Sequence, residues 1–294
     1  FYDDSRIDAV NLQSGERKAV FDGAWMARFA PPATLLVQRR GALLALPFDP
    51  VTAEVRGEER LVLDNVGGEP SSGAGFFAGG EGGTLAYVPA EALVGETTVV
   101  IVEADGTSTR LPLPEKRFWY PRFSPDGRSL ILDVGSGQGA DDELWRYDFA
   151  PQRLSRVSFV AGSAIASWSP DGEWIAGHKH FTAERSLGSG EIWLWHRSGG
   201  DGLQMTEKPN DQKDVGEPAF SPDGRYIYFS QDTTPGSTFS YNKDSNGQIY
   251  VIRRLDRETG KIIDFVDGPG GAVRPTPSPD GKRLAYVRRV RFQS

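Results

Sequence analysis

Phe123-Ser124-Pro125-Asp126-Gly127-Arg128-Ser129-Leu130-Ile131-Leu132-Asp133 reads as the end of one strand, a tight turn and the start of the returning strand. Proline presets φ for the second position of a type I turn, Ser and Asp bond nearby backbone groups, and Gly takes the left-handed position that returns the chain. The tetrapeptide recurs at Ser169, Ser221 and Ser278. Three copies follow an aromatic residue (Phe123, Trp168, Phe220). Each copy leads into an apolar-rich run, as in Trp174-Ile175-Ala176, Tyr226-Ile227-Tyr228-Phe229 and Leu284-Ala285-Tyr286-Val287. A fixed tetrapeptide returning about every 45 to 57 residues marks a repeat architecture with one four-stranded blade per period.

Counting outward from the turns predicts an all-β fold, a six-bladed β-propeller of four-stranded antiparallel blades. The expected blades are 25–66, 75–115, 118–159, 163–207 and 217–266, in one domain spanning 1–294. In the first two blades the turn keeps its shape without its sequence: Ala30-Pro31-Pro32-Ala33 precedes Thr34, and Gly80-Glu81-Gly82-Gly83 precedes Thr84. A hairpin remains at each end, within 273–294 and 1–21. Joined, these N-terminal and C-terminal strands share the sixth blade and remove the sheet edge at the seam.

Composition agrees with many short strands and turns: 35 Gly, 20 Pro and 38% hydrophobic residues in 294. The net charge of −7 disfavours nucleic acid and anionic membrane surfaces. Arg288-Arg289-Val290-Arg291 is the basic exception and reads as an exposed strand face. No apolar run is long enough to insert in a membrane, and residues 1–20 lack signal-peptide character. The chain opens abruptly on Phe1-Tyr2-Asp3-Asp4, as a mature or excised domain would. With no cysteine, there is neither a disulfide framework nor a thiolate site. An extracytoplasmic location (periplasmic or secreted) and a monomer are expected.

Loop lengths single out one face. The turns from the innermost strand of a blade to its second, and from its third to its outermost, are short, whereas the connections at 135–142, 181–190, 207–216 and 231–247 are long and share the opposite rim. Long loops on a rigid scaffold are where binding function concentrates. The candidate ligand-binding residues are therefore Arg185, Lys208, Asp211, Lys213, Asp214, Tyr241 and Lys243, with Asp244 beside them. The alternative is that these side chains are solvated decoration.

The repeat resembles the TolB-like propellers of bacterial envelope and regulatory proteins, through the pattern Phe/Trp-Ser-Pro-Asp-Gly-Lys/Arg-x-Ile/Leu-x-Tyr/Phe. Glu173 departs from it at the basic position. Residues 22–160, including 43–49 and 82–89, resemble propeller regions of bacterial serine/threonine kinases. Residues 164–294, including His180-Phe181-Thr182 and Gly271-Ala272-Val273-Arg274-Pro275-Thr276-Pro277, resemble the propeller preceding secreted amidohydrolases. Such a change near 160 is what a chimera or a natural recombination would leave. No kinase phosphate loop or catalytic carboxylate is present.

Other chemistry is thin. His178 and His180 alternate on one strand and could share a metal, but His196 is the only other histidine, and strand packing is the competing reading. Asn242, Asp244 and Asn246 with Gly247 follow calcium-loop spacing, yet Arg253 stands where a bidentate glutamate belongs. No Gly-x-Ser-x-Gly elbow occurs. Asp141-Asp142 reads as a pair of solvated loop charges. Trp119, Trp168, Trp174, Trp193 and Trp195 read as blade-to-blade packing. The expectation is a noncatalytic module without cofactor or metal. It binds a protein or peptide partner through the long-loop rim and the channel mouth. The alternatives are an accessory propeller of a hydrolase (amidohydrolase-like) whose catalytic domain lies outside this chain, and an engineered or chimeric scaffold without a natural ligand.

Overall fold

The computed structural model describes residues 5–69, 74–79, 83–90, 97–135, 142–159, 162–180, 190–207, 215–232, 250–268 and 271–289. All four Ser-Pro-Asp-Gly segments form the turn their residues dictate. The glycine N–H donates to the serine carbonyl at 2.9 Å for Gly127, Gly172 and Gly281 and 2.8 Å for Gly224. Each of these glycines has φ between +67° and +72°, a conformation that costs a side chain with a Cβ. The serine hydroxyl locks the turn from both sides. It donates to the aspartate two residues on (Ser124 to Asp126 and Ser278 to Asp280 at 2.6 Å, Ser221 to Asp223 at 2.5 Å). It accepts the N–H five residues on, from Ser129, Trp174 and Arg283 at 2.9 Å and from Tyr226 at 2.8 Å.

Six four-rung sheets follow, each antiparallel. The third blade is Phe118–Phe123, Ser129–Val134, Glu143–Asp148 and Arg153–Arg156, ordered as in sequence from the axis outward. The fourth (Ser163–Trp168, Trp174–His180, Gly190–His196, Leu203–Gln204) and fifth (Val215–Phe220, Tyr226–Asp232, Tyr250–Asp256, Ile262–Val266) repeat it. The second has the short strands Phe77–Gly79, Leu85–Tyr87, Val100–Val102 and Ser108–Arg110; most of its turn, 80–82, lies outside the described residues.

The first blade, Met26–Ala30, Thr34–Arg39 and Ala42–Asp49, splits its outer position between Glu54–Val55 and Arg60–Leu63, which both pair with Ala42–Asp49. The sixth blade runs Val273–Pro277, Arg283–Arg289, Ser5–Asn11, Arg17–Asp22, so the two ends of the chain complete one sheet.

Inner strands pack in sequence around the ring, and Val273–Pro277 returns against Met26–Ala30. The core is six layers, one between each pair of neighbouring blades. Ile7, Ala9 and Val287 of the sixth blade meet Leu35, Val37 and Leu44 of the first, and Ile131 and Leu144 of the third meet Ala166, Ile175 and Trp195 of the fourth. A blade sandwiched on both faces needs middle strands that are apolar on both faces. Accordingly Leu130, Ile131 and Leu132 are all fully buried instead of alternating.

Candidate ligand site in the central channel

Each inner strand of blades three to six carries one irregularity at the same place. The register shifts between Trp119 and Arg122, Ala164 and Ser167, Gly216 and Ala219, and Val273 and Thr276. Tyr120, Ile165, Glu217 and Arg274 sit there with φ of 47°, 51°, 57° and 61°. All four stand four residues before a turn serine. A left-handed β-branched residue such as Ile165 costs on the order of 1–3 kcal/mol. The bulge re-aims the strand, so Ile165, Glu217 and Arg274, four places before a turn serine, and Arg122, Ser167 and Thr276, two places before one, come together at the axis.

There they surround a cavity of about 20 Å³ lined by Arg28, Arg122, Ser167, Glu217, Arg274 and Thr276 among others. That space holds one water-sized guest. Arg28 occupies in the first blade the position that Arg122 occupies in the third, two residues before the turn.

The charges in this wall are unequally satisfied. Arg274 Nη2 pairs with Glu217 Oε1 at 2.5 Å, both side chains under a tenth exposed. Glu217 Oε2 also accepts from Ser230 Oγ at 3.2 Å, and that oxygen accepts the Arg274 N–H at 3.0 Å. Arg122 donates through Nη1 to the carbonyls of Phe77 (3.2 Å) and Pro121 (2.8 Å). Burial lowers its pKa to about 10, with the Asp133 carboxylate opposing.

Arg28 is enclosed by protein yet keeps part of its surface on the channel. Its Nε has no hydrogen-bond partner, and among the described residues no ion pair reaches it. Burial, reinforced by the charges of Arg122 and Arg274, pushes its pKa well below the usual guanidinium range. Behind Arg122, burial and the neighbouring Asp142 raise Asp133 well above an ordinary carboxylate. Its Oδ2 accepts the Ile165 N–H at 2.6 Å. Three guanidiniums therefore face one ion-paired carboxylate.

The loop candidates Arg185, Lys208, Asp211, Lys213, Asp214, Tyr241 and Lys243 lie outside the described residues, as does Asp244. Two expectations are corrected. Asp142 is 4% exposed instead of solvated, because Gly135 lets the chain close over it: a Cβ at Gly135 would fall 2.2 Å from Asp142 Oδ1. Arg288 is buried instead of exposed, since Asp8 lies 3.7 Å away and its Nη2 bonds the Asp267 carbonyl at 2.8 Å.

The tryptophans pack between blades or within one sheet. Trp168 Nε1 bonds the Arg122 carbonyl of the preceding blade at 3.2 Å, and Trp193 and Trp195 stack at 6.3 Å. His178 is buried in its strand, His196 pairs with Ser198 at 2.6 Å, and the described residues hold no cluster of three potential metal ligands. Arg253 is committed to Asp264 at 2.7 Å on the neighbouring outer strand; calcium-loop residues 242–249 are outside the described set. The channel residues escaped a reading that looked to the loops. Their signal was register, two and four places before each turn.

No family model matches the chain. An uncharacterized protein of Agrobacterium fabrum is 24% identical over 97% of this chain and 92% of its own length, an alignment that runs through position 160. An uncharacterized peptidase of Bacillus subtilis is 27% identical over 47% of this chain, which spans 25% of that protein's length. Among solved structures, a TolB-type protein of Agrobacterium tumefaciens superposes with a TM-score of 0.69 at 18% identity, covering 97% of both chains. The chain thus has the TolB-like six-bladed fold.

Proposed function

We propose that this chain is a noncatalytic propeller that binds a protein or peptide partner at the channel mouth and the adjoining long-loop rim. The observation that carries the reading is the channel wall. It concentrates buried-stem arginines from different blades around one small cavity, a cationic wall suited to holding an anionic group of a partner. On this reading Arg185, Lys208, Asp211, Lys213, Asp214, Tyr241 and Lys243 form the outer contact zone. The chain works outside the cytoplasm, as a monomer and without a cofactor. The test is peptide-display selection on the intact chain followed by affinity measurement. Replacing Asp211, Lys213, Asp214, Tyr241 and Lys243 together by alanine is expected to weaken the selected partner at least tenfold; undiminished binding would remove the rim from the site.

A second reading is favoured by the match to part of a longer peptidase. The propeller would then admit or screen substrate for a hydrolase domain outside this chain. An open reading frame continuing past Ser294 into such a domain is what this reading requires, and a stop codon there would refute the C-terminal arrangement.

A further inference from the structure

We infer that Arg28 and Arg122, backed by Arg274, form a receptor for a single carboxylate presented by a peptide chain, either its free C-terminus or an acidic side chain. The inference rests on the binding-module reading and names the chemistry of the group that enters.

Among the charged side chains of the lining, Arg28 has no hydrogen-bond or ion-pair partner within the described residues to give up, and the Ser167 hydroxyl beside it is also unpaired. An unpaired guanidinium enclosed by protein is costly, and a carboxylate matches its planar fork with two parallel hydrogen bonds. Arg122 spends only Nη1 on backbone carbonyls, so its Nε and Nη2 are free of protein partners among the described residues. Arg274, by contrast, is ion-paired to Glu217 and acts as supporting positive charge.

The same glutamate limits the guest's charge, because a dianion beside it meets repulsion that a monoanion meets only once. Size limits it too. About 20 Å³ is room for one water-sized group such as a carboxylate oxygen, with the rest of the guest outside, and excludes a sugar or nucleobase ring unless the arginines move aside. Met26 and Pro275 in the same lining give an apolar surface that a peptide stem would pack on.

The experiment titrates the intact chain with three N-acetylated tripeptides: trialanine with a free carboxylate, trialanine with a carboxamide end, and a carboxamide peptide with a central glutamate. Acetate and inorganic phosphate serve as minimal probes. The expected result is that at least one carboxylate peptide binds about tenfold or more tighter than the neutral peptide, the usual scale for hydrogen bonds to charged groups. Arg28→Gln should erase that preference and Arg28→Lys should restore part of it. Preference for the acid end assigns the C-terminus, and preference for the glutamate peptide assigns the side chain.

Equal binding of acid and amide, a preference untouched by Arg28→Gln, or phosphate binding tighter than acetate would each overturn the inference. Arg28→Met guards against a folding artefact. Removing a buried unpaired charge should raise Tm in the absence of peptide, and a fall would show that Arg28 is structural. A display-selected partner indifferent to Arg28→Gln would overturn the carboxylate receptor and leave the module. Arg28-dependent carboxylate binding with no selectable partner would do the reverse.

Discussion

A turn serine such as Ser221 is a small side chain with two hydrogen-bonding duties in a buried place. Its hydroxyl is 5% exposed in residue terms, donates to Asp223 and accepts the Tyr226 N–H. Ser221→Ala leaves that N–H without its acceptor, so a loss of about 1–3 kcal/mol is expected in denaturant unfolding. Ser→Ala at any of the other three turns should cost a similar amount.

Two kinds of aspartate then give opposite pH signatures. The serine hydrogen bond holds Asp126, Asp171 and Asp223 below the ordinary carboxylate value, aided by a backbone N–H. Their contribution is complete above about pH 4 and disappears as pH falls through the depressed values. Asp133 is raised by burial. Above the unfolded carboxylate value the unfolded chain has released a proton that the folded chain retains, so stability declines as pH rises toward the folded value. Asp133→Asn keeps an acceptor for the Ile165 N–H and removes the charge. It should melt higher than wild type at pH 7.5, with the advantage shrinking toward pH 4; an unchanged or lower melting point at pH 7.5 would contradict the burial of an ionising Asp133.

Among elements, the inner strand is where propeller geometry and function meet. Its bulge spends backbone strain at Ile165, Glu217 and Arg274, and blade-to-blade bonds hold it: Asp133 to the Ile165 N–H, Ser230 to the Arg274 N–H. The acceptors sit nine residues after a turn serine, the donors four residues before the next. At the far end of the third blade, close approach does the corresponding job. Gly135→Ala would drive a Cβ to 2.8 Å from the Asp142 Cα, which is backbone and cannot swing away. A destabilisation of about 1–3 kcal/mol is expected from calorimetry or denaturant titration. Wild-type stability would mean that the chain at 135–142 yields freely.

At the scale of the molecule, closure depends on strands from both termini. Ser5–Asn11 pairs along its length with Arg283–Arg289, and Ile7 and Ala9 complete the layer against the first blade. Removing residues 1–22 would bare the edge of Arg283–Arg289 and that apolar layer together. Concentration-dependent self-association in analytical ultracentrifugation is the expected outcome; a monomer of undiminished stability would show that closure contributes little. The third and fourth blades also interlock across position 160, through Arg146 Nη1 to the Arg197 carbonyl at 2.6 Å and the Trp168–Arg122 bond.

The turns, the blade count and the shared sixth blade were legible in the residues, because Ser-Pro-Asp-Gly stores its whole conformation in local bonds and its recurrence sets the period. Burial of Asp142 and Arg288 was not legible. Asp142 is buried by the close approach of Gly135, and Arg288 by Asp8 and the Asp267 carbonyl from other parts of the chain; a charged residue in a loop or at a strand end carries no local mark of such neighbours. The channel cluster was half written. The register that aims Arg28, Arg122, Glu217 and Arg274 at the axis repeats with the turns. Which of them pair and which is left unmatched depends on bringing separate blades around one axis, since electrostatic satisfaction is a property of neighbours in space and local sequence fixes only neighbours along the chain.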